Sequence, residues 1–105
     1  MTKATFFSKG GKLCGFTVSG HTGYGVAGRD ILCAAVSSAV QMTANGITEI
    51  LKQGARVEAK GVTVSLQLEN DPDEMSSAMI GALRLHLELL REDHPKNIQI
   101  SCTEV

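Results

Sequence analysis

Residues 19–41 (SGHTGYGVAGRDILCAAVSSAVQ) constrain the chain more than any other stretch. They read as the end of a strand, then a glycine-rich loop, then the start of a helix. Gly20, Gly23, Gly25 and Gly28 are four glycines within nine positions. Glycine loses more backbone entropy on folding than any other residue, so this density needs a positive φ, a close approach to a ligand, or mobility. Asp30 is a good N-cap residue, and an apolar-periodic run follows it. The stretch thus places an imidazole, His21, on a pliable loop and a thiol, Cys33, in the first turn of a helix. Cysteine nucleophile chemistry uses that pair of groups.

The rest of the chain alternates between period two and period 3.6. Residues 2–8 and 12–19 read as strands joined by a hairpin at Lys9-Gly10-Gly11. Gly15 marks a bulge or a close backbone approach. A first helix is expected over residues 30–52. Leu32, Val36, Ala39, Val40, Thr43, Ala44, Ile47, Ile50 and Leu51 share its apolar arc, Cys33 stands at the border, and Ser37 follows one turn later. Gly54 is a plausible stop. Residues 55–60 and 62–69 form a second hairpin, with Val62, Val64, Leu66 and Leu68 on one face. A turn capped by Asp71 or Asp73 leads into a second helix over residues 75–92. Its apolar arc spans about 220° at 100° per residue, more than one sheet face needs, so that helix is expected to meet a second copy of the chain. His94-Pro95 ends it. Residues 97–103 form the last strand, with Ile98, Ile100 and Cys102 facing in. The order ββαββαβ implies an α+β, two-layer sandwich: a mostly antiparallel sheet with two amphipathic helices. Strand order is not readable from this pattern.

A length of 105 residues implies one domain, residues 1–105, with room for a core. Apolar residues at 43% and charged residues at 20% argue against disorder. The net charge of −1 offers no basic surplus for nucleic acid or anionic lipid, so neither partner is expected. No run approaches a membrane span, and the first residues carry no secretory pattern, so a cytoplasmic protein is expected. Three cysteines without CxxC spacing read as free thiols rather than a disulfide framework.

Each candidate site residue has a plain reading beside the chemical one. Cys33 is a small core hydrophobe or a nucleophile. With Asp30 as N-cap it is the third helical residue, where unpaired N–H groups stabilise a thiolate and an oxyanion. The charge of Asp30 opposes that effect, which leaves it the roles of capping the helix or holding His21. His21 is a solvated loop residue or the base that takes the thiol proton and returns it to a leaving amine. Residues 23–28 also spell GxGxxG, which raises a nucleotide- or phosphate-binding module as the rival. No parallel βαβ unit surrounds that pattern, and Asp30 repels phosphate, so the rival ranks lower. His21 and Cys33 lack a metal-site spacing, and no metal or cofactor is expected. Cys14 and Cys102 read as packing residues, His86 as a core or interface histidine, and His94 as a helix-end residue.

The run Gly20-His21, then Gly28-Arg29-Asp30-Ile31-Leu32-Cys33-Ala34-Ala35-Val36-Ser37, resembles the ribosomal-processing cysteine protease family Prp, also known as the YsxB-like domain. The family pattern is a Gly-His pair, a glycine-rich loop, then Gly-x-Asp-Ile/Val-x-Cys-Ala-Ala-x-Ser, and the resemblance extends over nearly the whole chain. It implies an α+β homodimer with a Cys–His dyad: Cys33 as nucleophile, His21 as base, and Asp30 and Ser37 at the remaining polar positions. It also implies the substrate, a peptide: the aromatic-rich N-terminal extension of the large-subunit ribosomal protein that lines the peptidyl-transferase region. The loop holding Gly20, Gly23, Gly25 and Gly28 would close over that peptide. The alternative function is a non-enzymatic ribosome-associated or phosphate-binding module.

Overall fold

The computed structural model describes residues 1–20 and 27–105, with residues 27–30 described through the backbone alone. His21, Gly23 and Gly25 lie outside the described residues. Five strands and two helices follow in the order β1 (Thr2–Lys9), β2 (Lys12–Ser19), α1 (Ala27–Asn45), β3 (Ala55–Lys60), β4 (Thr63–Leu68), α2 (Glu74–Asp93) and β5 (Ile98–Glu104). A single π-helical turn, Gly46–Ile50, continues α1. This is the α+β two-layer architecture expected from the pattern.

The sheet order is β3-β4-β2-β1-β5. Both hairpins pair antiparallel, as does β2 with β4, and β5 returns parallel to β1. Gly10 and Gly11 make the two-residue β1–β2 turn with φ of 60° and 83°, a conformation that only glycine enters freely. Gly15 meets both of its expectations. It adjoins a bulge, since Phe7 pairs with Gly15 and Ser8 with Leu13, leaving Cys14 as the extra residue. A Cβ on Gly15 would also run into Gln67 and the carbonyl of Leu66.

Both helices lie on one face of the sheet. Ala4, Phe6, Phe16, Val18, Leu66, Leu68 and Ile98 supply the sheet side of the core. Leu32, Val36, Val40 and Ile47 cover it from the α1 side, and Ile80, Leu83 and Leu87 from α2. The Phe6 and Phe16 rings stack cross-strand at 6.3 Å in a tilted arrangement. The opposite face carries Lys3, Thr5, Thr17 and Ser65 and has no covering helix among the described residues.

Four expectations need correction. First, α1 begins at Ala27, so Asp30 is its fourth residue and not its N-cap. Gly28, expected in the loop, is likewise a residue of the helix: Ala27 is a strong helix former and an acidic side chain suits a first turn, which offsets the cost of one glycine there. Second, the helical stretch ends differently. Leu51 N–H bonds the Gly46 carbonyl five residues back, and this wider turn carries Ile50 off the apolar arc to 78% exposure. The left-handed residue after it is Lys52, with φ of 55°, rather than Gly54. Third, Cys102 pairs with Phe6 yet is exposed, because the end of β5 runs beyond the helical layer. His86 is exposed, which excludes the core and leaves the interface alternative of its reading. Fourth, residues 31–50 are long and apolar enough to cross a membrane by composition, with a mean hydropathy of 1.2. Here their apolar side lies on the sheet.

Candidate active site

The backbone of α1 carries Cys33 in its second turn, as the seventh helical residue, four further along than Asp30-capping would put it. The field of a helix end fades within the first turn, and the Cys33 N–H already belongs to the α-helical ladder. An activated thiol at this position therefore needs a proton acceptor beside it rather than the helix tip.

Cys33 is half-buried and faces a cleft of about 280 Å³. Three parts of the fold build that cleft. From α1 come Cys33, Ser37 and Gln41, with Val36 and Val40 beneath them. The start of β1 and the end of β2 supply Thr2, Val18 and Gly20. The β3–β4 hairpin supplies Gly61, Val62 and Val64. The helical wheel accounts for the first group: four-residue steps advance about 40° per turn, so 33, 37 and 41 drift along one flank of the buried arc. Cys33 is thus held by packing and open to a ligand, the border position its spacing predicted.

Gly20 is the last described residue before His21. Its φ of 74° and the carbonyl of Met1 where a Cβ would stand leave no room for any other residue. The chain thereby turns out of β2 at the mouth of the cleft that Cys33 faces.

Of the sequence-predicted site residues, the structure brings Cys33, Ser37 and Gly20 to one cleft. Gly28 and Asp30 lie in the first turn of α1, and their side-chain surroundings are outside the described residues. Thr2, Gln41, Gly61 and Val62 were not singled out as site residues. Gln41 carried a legible signal, since it lies two turns from Cys33 on the same flank. Thr2 and the hairpin residues carried none, because their proximity depends on strand order.

The chemistry of the cleft is a thiol, a hydroxyl and a carboxamide on α1, facing Thr2, two glycines and three valines. Among the described lining residues there is no lysine or arginine. Such a cleft suits an extended peptide better than a phosphate.

Solved structures share the fold closely. The Streptococcus mutans protein SMU.848 superposes with a TM-score of 0.88 at 25% identity, covering 100% of this chain and 96% of that one. The essential ribosomal processing protease Prp from S. aureus, with a substrate peptide, gives a TM-score of 0.88 at 17% identity, with 98% of this chain and 100% of that one covered. The same protease with a covalently linked product peptide gives 0.87 at 18% identity over the same shares. Comparison with curated proteins gives no significant match. The model of the family described as cysteine protease Prp matches residues 1–99, a span that includes the whole cleft, and the chain belongs to that family.

Proposed function

We propose that this chain is a cysteine endopeptidase that removes the N-terminal extension of a large-subunit ribosomal protein, with Cys33 as nucleophile and His21 as general base. The observation that carries the reading is the seat of Cys33: a half-buried thiol facing a peptide-sized cleft whose rim includes Gly20, one peptide link before His21. His21 takes the thiol proton. The Cys33 sulfur then bonds to the scissile carbonyl carbon, the C–N bond breaks, and the imidazolium returns the proton to the departing amine. Water, deprotonated by the same imidazole, cleaves the thioester and frees the carboxylate product. Asp30 and Ser37 are proposed as supporting residues. The relatives that bind substrate and product peptides in the same fold support a peptide substrate here.

The protein is further proposed to act in the cytoplasm as a homodimer. Support for pairing comes from α2, which buries Ile80, Leu83 and Leu87 and leaves Met75, Leu85 and Leu89 exposed.

The test is cleavage of the extended ribosomal protein by wild type, Cys33→Ala and His21→Ala. Product from wild type, and loss of at least about a thousandfold in both variants with unchanged circular dichroism, is the expected result. Undiminished cleavage by Cys33→Ala would remove the assignment.

A further inference from the structure

The cleft beside Cys33 has a polar flank on α1 and, opposite it, a flank of three valines, two glycines and Thr2. Cys33, Ser37 and Gln41 stand one helical turn apart on α1, and Val18, Val62 and Val64 are among the residues that complete the lining. An extended peptide brings one N–H and one C=O per residue, and a group left unpaired in a half-enclosed cleft is costly. The valines offer side chains without a polar atom. The backbone of α1 is already engaged in its own ladder, so only its side chains are available. Ser37 offers a single hydroxyl. Gln41 alone of these carries a carbonyl acceptor and an N–H donor on one planar group, the pair that matches a main-chain amide. Gln41 is exposed, and its side chain makes no hydrogen bond among the described residues, so no contact with a described residue must break for it to engage. Eight residues at about 1.5 Å each put it about 12 Å along the helix from Cys33. That distance is the span of roughly three to four extended residues.

We propose that Gln41 is a specificity residue whose carboxamide binds the main chain of an extended peptide three to four residues from the scissile bond. The proposal rests on the peptidase reading above. It makes the enzyme sensitive to substrate length on one side of the cut, through an amide pair that is indifferent to side-chain identity.

The experiment uses the intact protein and a nested set of synthetic peptides from the ribosomal extension, lengthened one residue at a time on either side of the cut. The readout is the ratio of kcat/KM for long against short peptides, for wild type, Gln41→Ala and Gln41→Glu, the last keeping the acceptor but losing the donor. The expected result is a step in wild type at the third or fourth residue on one side, reduced about three- to tenfold by Gln41→Ala. An unchanged ratio overturns the proposal, and so does an equal loss at every length, which marks a structural role. If wild type cleaves no peptide, the peptidase reading has failed instead. Gln41 is then read from binding of the longest peptide to Cys33→Ala with and without Gln41→Ala, where equal Kd values overturn it.

Discussion

The three thiols of this chain sit in three different surroundings. Cys14 is the extra residue of the β2 bulge, 3% exposed, with Gln67 Nε2 donating to its sulfur at 3.4 Å and to its carbonyl at 3.3 Å. Cys33 is half-buried at the cleft and Cys102 is open to solvent at the far end of β5. Thiol reactivity follows thiolate fraction and access together. Access alone favours Cys102, so the proposed proton transfer to His21 has a direct consequence: iodoacetamide near neutral pH should label Cys33 fastest, Cys102 more slowly, and Cys14 only after unfolding. Peptide mass spectrometry over a time course separates the three. Equal rates at Cys33 and Cys102 would mean that nothing in the cleft activates the thiol. Exposure of Cys102 also makes Cys102→Ser a neutral background in which that comparison can be repeated.

At the scale of elements, the two helices differ in how their beginnings are secured. Asp73 caps α2, its carboxylate accepting from the Ser76 N–H at 2.9 Å, while Glu74 adds favourable charge in the first turn. That hydrogen bond holds the Asp73 carboxyl below its ordinary value near 3.8, against a smaller opposing effect of partial burial. A carboxyl depressed in the folded state contributes stability above its unfolded value, and that contribution is lost as pH falls through the folded one. Asp73→Ala should lower stability by about 1 kcal/mol at pH 7, or roughly 4 °C in Tm. The gap between wild type and variant should hold down to about pH 5 and narrow below pH 4. A gap that instead widens on acidification would show that the cap does not act through its charge. The position of this cap was legible because an Asn-Asp-Pro-Asp turn precedes an unbroken apolar pattern. The start of α1 was not, because Gly28-Arg29-Asp30 satisfies a cap and a first turn equally well on paper. The π turn after Asn45 was also hidden, since one widened turn leaves Ile47 buried and betrays itself only at Ile50.

For the molecule as a whole, the legible part is what local periodicity determines and the illegible part is what pairing determines. Both hairpins, both helices and the layer arrangement follow from spacing alone. The order β3-β4-β2-β1-β5 does not, because β2–β4 and β1–β5 are non-local pairings with no turn to specify them. The candidate site inherits that division. Cys33 and Ser37 could be placed together from the helical wheel, whereas Thr2 and Val62 join them only once β4 lies beside β2 and β2 beside β1. The breadth of the α2 apolar arc is a signal of the same whole-molecule kind. Its sheet-facing part is spent on the core, and its remainder, Met75, Leu85 and Leu89, stays exposed beside an open groove of about 500 Å³ between the helices that includes Met42, Met79 and His86. Stable interfaces bury about 800 Å² per partner around an apolar centre, and this face has the composition of such a centre. The proposed homodimer should therefore run in light scattering at twice 11.1 kDa, and the double substitution Leu85→Glu, Leu89→Glu should bring it to the single-chain mass. Both side chains are exposed in the single chain, so its fold should survive the change, as circular dichroism can check. A wild type that remains at the single-chain mass at working concentration would leave the arc without a partner, and a double variant that stays paired would move the interface to another face.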